Sequence, residues 1–182
     1  IHQDDIALIA SAREGSHQAF ENLVKKHQNT VATTAMGMLG DMNEAEEIGQ
    51  QVFIRFYKGL DQYRGEAKLK TYLTRITINL CLNHLKRNQR MISRSVELDQ
   101  AKLLSGEDDT QRIEDKRLIN KALMCLSEDH RVVINLRMIQ GYDTRQTADI
   151  LSLPKGTVLS RLKRGMSKLK EVLTNDFNYE YR

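Results

Sequence analysis

Tryptophan is absent from this chain, proline occurs once, cysteine twice and glycine ten times in 182 residues, and aromatic residues make up only 5%. Scarce proline and glycine remove the usual breakers, and the abundant Leu, Ile, Lys, Glu and Gln predict helices throughout. No alternating apolar and polar run bounded by turn residues is present, so strands are not expected. Cys81 and Cys125 lie far apart, match no CxxC or Cys/His spacing, and are read as small core residues. His2, His17, His27, His84 and His130 are scattered without ligand spacing, so neither a metal nor a cofactor is expected. Paired catalytic carboxylates, a nucleophile with a base and a phosphate loop are all missing, which leaves an enzyme the least supported class. No apolar stretch approaches the roughly 20 residues of a membrane-spanning helix, and the start shows no basic-then-apolar signal pattern. A soluble, cytoplasmic protein is the expectation.

What the chain does have is segregated charge. Hydrophobic residues at 40% suffice for a core, and the net charge is a modest +4. Yet between residues 64 and 94 eight bases face one acid, Glu66, whereas between 96 and 115 seven acids face two bases, Lys102 and Arg112. This pattern predicts two basic modules joined by an acidic connector. The segment Ser105-Gly106-Glu107-Asp108-Asp109-Thr110 has no apolar period and reads as a flexible linker. An all-α protein of two helical domains follows, with boundaries expected at 1–92, 93–112 for the linker, and 113–182.

The strongest local signal is Asp143–Leu169, which reads as a helix-turn-helix. Thr144, Ala148 and Leu151 share one side of a short helix, Ser152-Leu153-Pro154 breaks it, and Lys155 to Lys170 restart a helix without an acidic residue. The sole proline stands at a helix entrance, where its fixed φ and missing N–H are tolerated. Val158, Leu162, Met166 and Leu169 are expected to face the core, leaving a basic face suited to a DNA groove. An ordinary amphipathic surface helix would show much of the same pattern.

In the first module, Ile6, Ile9 and Ala10 open a helix after Asp4-Asp5, and a second helix follows Ser16 as N-cap. A third is expected over 44–60, with Ile48, Val52, Ile54 and Phe56 apolar and Glu46, Glu47, Gln50 and Gln51 forming a polar face. A loop over 61–68 leads into a long helix over 69–90. There Tyr72, Arg75, Asn79 and Asn83 fall three or four residues apart and share a face. An Arg for phosphates, amides for base edges and a ring for stacking are the parts needed to hold a separated strand. A half-buried Tyr72 beside two surface Asn is the plain alternative.

Three stretches of this module carry a resemblance: Ala45-Glu46-Glu47-Ile48-Gly49-Gln50-Gln51-Val52-Phe53, Tyr63-Arg64-Gly65-Glu66-Ala67, and Thr71-Tyr72-Leu73-Thr74-Arg75-Ile76-Thr77-Ile78-Asn79. Together they resemble region 2 of the bacterial extracytoplasmic-function (ECF) sigma factors. Leu126 to Arg137 and Gly156-Thr157-Val158-Leu159-Ser160-Arg161-Leu162 resemble region 4 of that family. Order, spacing and linker position agree over nearly the whole chain.

The resemblance implies a protein that binds core RNA polymerase and directs it to promoters, under control of an anti-sigma factor. It implies that Glu47, Gln50, Gln51 and Phe53 dock a coiled coil of the largest polymerase subunit. It implies that Arg64, Ala67 and Lys68 form a pocket for an extruded base of the downstream element, while Tyr72, Arg75, Asn79 and Asn83 hold adjacent nucleotides. In region 4, Leu159, Ser160, Lys163 and Arg164 match positions facing the major groove of the upstream duplex element, and Arg131, Arg145, Lys155, Gly156 and Thr157 match backbone contacts. Some positions depart from the family pattern. Tyr72 stands where Trp is usual, Gln51 where an acid is common, Ser152 where the turn usually has Gly, and Leu159 where a base is frequent. Other readings are a dimeric regulator binding duplex DNA through its C-terminal domain alone, and an all-helical interaction protein without DNA affinity. The acidic connector would also let the two modules be clamped in an inactive arrangement.

Overall fold

The computed structural model describes residues 2–94 and 111–177. All regular elements among them are helical, in two units. The first comprises α1 (His2–Arg13), α2 (His17–Leu39), α3 (Met42–Lys58) and α4 (Leu69–Arg94), with a 3₁₀ turn at Leu60–Gln62. The second comprises α5 (Gln111–Met124), α6 (Glu128–Ile134) running into a π-helical turn at Asn135–Ile139, α7 (Thr144–Leu151) and α8 (Lys155–Phe177). Residues 95–110, the heart of the expected connector, lie outside the described residues.

Polar side chains at the helix starts explain most boundaries. Ser16 Oγ accepts from the Ala19 amide, and Asp41 Oδ1 accepts from Asn43 and Glu44 at 2.9 and 3.0 Å, satisfying amides that a helix start leaves free. Asp41 therefore starts α3 two residues before the expected position. Asp143 and Gln146 form a capping box, each side chain taking the other's backbone N–H at 2.8 and 3.0 Å. Gly40 closes α2 in the left-handed region with φ 73°, and its N–H donates to Met36 O. Ser152 takes the same role after α7 at φ 54°, a conformation that disfavours side chains, so serine here is strained where glycine would not be. α1 begins earlier than expected, which places Asp5 inside its first turn. Asp5 is 5% exposed and meets Lys26 Nζ at 2.7 Å and His27 Nε2 at 3.3 Å, tying α1 to α2.

Ile9, Leu23, Val31, Met38, Ile48, Val52, Phe56, Leu69, Leu73 and Ile78 fill the core of the first unit. That core continues into Val132, Val133, Leu136, Tyr142, Ile150 and Val158 of the second unit. A smaller cluster of Leu123, Leu126, Ile134, Leu169, Val172 and Leu173 holds α5, α6 and α8 together. Gly165 lets α8 approach α6 closely, since a Cβ there would lie 3.0 Å from Ile134 Cδ1 and 3.1 Å from His130 Cβ.

Three expected core positions differ. Ile54 is 54% exposed, because α3 turns the residues around 47, 51 and 54 toward solvent. Met166 is 38% exposed, its expected core place being taken by Gly165 one residue earlier. Cys81 is buried as expected, its thiol pushed up to about 12 by desolvation, but Cys125 is exposed at the end of α5. Among the described residues, no helix is long and apolar enough to cross a membrane, and no three His, Cys, Asp or Glu converge to hold a metal.

Candidate nucleic-acid interface

α8 presents its N-terminal half as an open face. Lys155, Gly156, Leu159, Ser160, Lys163 and Arg164 are exposed and Thr157 is half-buried, while Val158 beneath them is fully buried. A groove lined by Ser160, Lys163, Arg164, Ser167, Lys168 and Glu171 continues along this face. Ser160 Oγ donates to Thr157 O at 3.0 Å, leaving its lone pairs outward, and Lys168 is paired with Glu171 at 2.9 Å. The unpaired charge of the groove is thus concentrated at Lys163 and Arg164. Arg161 turns away from this face, meeting Asp129 at 2.8 Å and bracing α8 against α6. Arg145 is exposed on α7, one residue after the helix begins.

Arg131, expected beside a phosphate of the duplex, is instead 7% exposed. Its guanidinium donates to the carbonyls of Leu123, Met124 and Leu126 at 3.0, 2.9 and 2.9 Å, and to Met38 O at 2.7 Å. It therefore sits where the C-terminal ends of α5 and α2 converge, the place where helix dipoles favour a cation. Burial alone lowers its pKa, yet with these acceptors around it the group is spent on structure. The family resemblance placed Arg131 beside the duplex backbone, and nothing in the sequence revealed the carbonyls waiting for it.

In the first unit, Arg75, Asn79 and Asn83 are exposed and aligned along α4. Tyr72, at the head of this stripe, is half-buried in a cluster of rings. Its centroid lies 5.0 Å from that of Tyr63 and 6.1 Å from that of Phe56, and Phe56 in turn meets Phe20 at 5.9 Å. Tyr72 is thus the half-buried ring of the plain alternative, packed against Tyr63 and Phe56. Arg64, Ala67 and Lys68 are exposed on the loop before α4. Tyr63 OH donates to Ala67 O, Gly65 supplies a left-handed turn at φ 73°, and Arg13 donates to the carbonyls of Leu60 and Tyr63. Arg13, at the end of α1, positions the loop, and no sequence pattern marked it. Tyr63 has a raised pKa through burial, with the Asp5 charge and Tyr72 adding to it, so its hydroxyl remains a donor at neutral pH.

On α3, Glu47, Gln50 and Gln51 are exposed and Phe53 is half-buried. Gln51 Nε2 donates to Glu47 Oε1 at 3.0 Å, so the amide at 51 orients the carboxylate beside it. Ile54 and Tyr57, 54% and 47% exposed, extend this polar face with apolar area, of which the periodicity had placed only Ile54 among the apolar positions.

Comparison with known proteins adds two matches to this geometry. Residues 23–91 match Sigma-70 region 2, and residues 116–169 match Sigma-70, region 4. The chain is 28% identical to RNA polymerase sigma-H factor of Pseudomonas aeruginosa, with 94% of each chain covered. It is 27% identical to ECF RNA polymerase sigma factor SigW of Bacillus subtilis, covering 91% of this chain and 94% of the relative. With ECF RNA polymerase sigma-E factor of Escherichia coli it shares 29% identity over 88% of this chain and 89% of the relative. Among solved structures, the fold is similar to the sigma factor RpoE in complex with the anti-sigma factor NepR from Bartonella quintana. That likeness has a TM-score of 0.71 and 23% identity, covering 86% of this chain and 98% of that one. It is also similar to CnrH in complex with the cytosolic domain of CnrY, with a TM-score of 0.69 and 25% identity over 95% of this chain and 99% of that one.

Proposed function

Built from sigma-70 regions 2 and 4 in order, the chain belongs to the ECF sigma factors, and from that premise we infer that it binds core RNA polymerase and directs promoter-specific initiation under an anti-sigma factor. The observation that carries this reading is the pairing of two unlike nucleic-acid faces on one chain. One is a basic helix-turn-helix shaped for duplex DNA. The other is an exposed Arg75, Asn79 and Asn83 stripe beside a ring-backed loop, suited to a separated strand. A duplex-binding regulator needs only the first.

The units are assigned as 1–92 and 113–182, with 93–112 as linker. Glu47, Gln50, Gln51 and the edge of Phe53 form the proposed polymerase face, where acidic and amide groups suit a basic helical partner and Ile54 and Tyr57 add apolar contact. Arg64, Ala67 and Lys68 surround an extruded base, whose removal from the stack costs a few kcal/mol that stacking and edge contacts must offset. Tyr72, Arg75, Asn79 and Asn83 hold the neighbouring nucleotides. Leu159, Ser160, Lys163 and Arg164 read the upstream major groove, where each good base contact discriminates by about 1–3 kcal/mol, and Leu159 offers an apolar contact for a thymine methyl. Arg145, Lys155, Gly156 and Thr157 contact the backbone and set register without choosing sequence. Arg131 is left out of this set because its guanidinium is enclosed by carbonyls. The protein works in the cytoplasm as an initiation factor, with no reaction of its own.

The test is run-off transcription with purified core polymerase lacking any sigma factor, on a pool of promoter fragments, with and without this protein. Initiation at defined start sites only in its presence is the expected result. Duplex binding without initiation would point to the regulator, and no DNA binding at all to an interaction protein.

A further inference from the structure

The loop over 61–68 is held at its base and unsupported at its tip. Leu60 and Tyr63 are buried, and Tyr63 N–H donates to Leu60 O at 3.3 Å, which closes the 3₁₀ turn. At the far end Leu69 is fully buried, and Tyr72 N–H donates to Lys68 O at 3.1 Å as α4 begins. Between these ends the side chains of Arg64, Glu66 and Lys68 are exposed and make no hydrogen bond or ion pair among the described residues. A Cβ added at Gly65 would meet nothing within 4 Å. The shape of the tip is therefore set from below.

What lies below is α1. Arg13 Nε and Nη2 both donate to Leu60 O, at 3.1 and 2.9 Å, and Nη2 also donates to Tyr63 O. One guanidinium thus bridges the 3₁₀ turn from its first carbonyl to the residue after it, a grip that needs the planar fork and that an ammonium does not reproduce. Tyr63 carries the hold across the loop, its OH donating to Ala67 O at 2.5 Å. Arg13 itself leaves a fixed helix. Gly15, at φ 96°, ends α1 by donating its N–H to Ala12 O at 3.1 Å, and Ser16 N–H donates to Ser11 O at 3.0 Å. Ile9 and Ala12 are buried, and Asp5 ties the other end of α1 to Lys26 and His27 of α2.

We propose that Arg13 is a positioning residue for promoter selectivity: by gripping Leu60 O and Tyr63 O it holds Arg64, Ala67 and Lys68 in one arrangement, so that α1 governs how sharply an extruded base is discriminated without touching it. The proposal rests on the assignment of that loop to the extruded base. Discrimination is a difference between the affinities for the right and the wrong base. A loop held in one shape presents its groups to one base edge. Released at its base, it adapts to several and loses the difference while keeping most of its affinity. Because Arg13 is spent on carbonyls rather than on phosphates, its loss should leave the salt dependence of promoter binding alone.

The test compares initiation by core polymerase carrying the full chain on one promoter from the run-off pool and on copies with single substitutions in the downstream or the upstream element. Arg13→Ala should lower the preference for the parent downstream sequence severalfold. Preference at the upstream element, affinity for core polymerase and the salt slope should stay unchanged. Arg13→Lys keeps the charge and most of the stem but not the fork; it should also lose preference, and it answers the same question if the alanine chain does not fold. Tyr63→Phe removes only the bond to Ala67 O, keeps the ring against Phe56 and Tyr72, and should shift preference in the same direction. Unchanged downstream preference in Arg13→Ala, or in Arg13→Lys where alanine does not fold, overturns the proposal. So does an equal loss on every template with a shallower salt slope, which would make Arg13 a phosphate contact. Absence of initiation by the parent chain overturns the sigma-factor reading and this proposal with it, whereas parent initiation with unaltered selectivity in the variants overturns this proposal alone.

Discussion

Replacing Arg131 by alanine should destabilise the protein far more than it weakens DNA binding. The side chain is only 7% exposed, and four backbone carbonyls accept hydrogen bonds from it at 2.7 to 3.0 Å. A hydrogen bond to a charged group is worth about 1.5–3 kcal/mol, but recovery of the guanidinium's desolvation and rehydration of some carbonyls keep the total near 3–4 kcal/mol. For a chain of this length each kcal/mol moves the midpoint by about 2–4 °C, so a fall of roughly 10 °C is expected. Thermal unfolding of the full chain followed by circular dichroism reads it. Arg131→Lys keeps the charge but has no planar fork for several acceptors, and should recover only part of the loss. A midpoint within about 2 °C of the parent, combined with weaker duplex binding and a salt slope shallower by about one, would refute the enclosed role and return Arg131 to the phosphate backbone.

Three further outcomes are expected. Asn79→Ala should weaken capture of single-stranded downstream promoter DNA by polymerase holoenzyme, read by fluorescence anisotropy, and leave affinity for core polymerase unchanged; a matching loss of core affinity would undo the assignment. Arg164→Ala should cost about 1–3 kcal/mol in binding to the upstream duplex, with relaxed preference at one base pair; a uniform loss across all sequences would make Arg164 a backbone contact. Burial alone would raise the Asp5 carboxyl, but hydrogen bonds and charge from Lys26 and His27 outweigh it and hold it below the usual carboxylate value. A folded-state pKa below the unfolded one means stability present above the ordinary carboxylate pKa and lost as pH falls through the folded value. Asp5→Asn should accordingly lower stability at neutral pH and flatten the acid limb of a denaturation series; an unchanged acid limb would show that the pair contributes nothing.

Local rules made much of this fold legible. Ser16 and Asp41 begin helices because a short polar side chain reaches the amides two or three residues on, and Pro154 permits one start only, so α2, α3, α7 and α8 could be placed from sequence. Failures arose where a partner from elsewhere in the chain decides. Arg131 reads as a surface base until the ends of α2 and α5 are brought to it. Arg13 reads as the end of a helix until the loop carbonyls at 60 and 63 reach it. Ile54 and Met166 fit an apolar period whose phase is set by the neighbours each helix meets, and a period alone cannot say which apolar positions lie beyond the edge of that contact. The exposure of the Arg75, Asn79 and Asn83 stripe was legible from spacing, while the carbonyl of Asp149 at its edge was not.

The ring cluster beneath the proposed base pocket has a consequence for altering promoter choice. Phe56 stands on the helix that carries the proposed polymerase face of Glu47 and Gln51, and its ring touches Tyr63 and Tyr72 at the root of the loop and Phe20 on the far side. Phe20 also meets the exposed Tyr57 at 4.9 Å. Loop and docking helix therefore rest on one aromatic foundation. A change of ring size at 63 or 72 would be felt in both, and would confuse a shift in sequence preference with a shift in polymerase affinity. Arg64, Ala67 and Lys68 stand above that foundation with solvent around them, so, on the proposed assignment, diversity introduced there should change promoter preference and leave the proposed docking surface as it is.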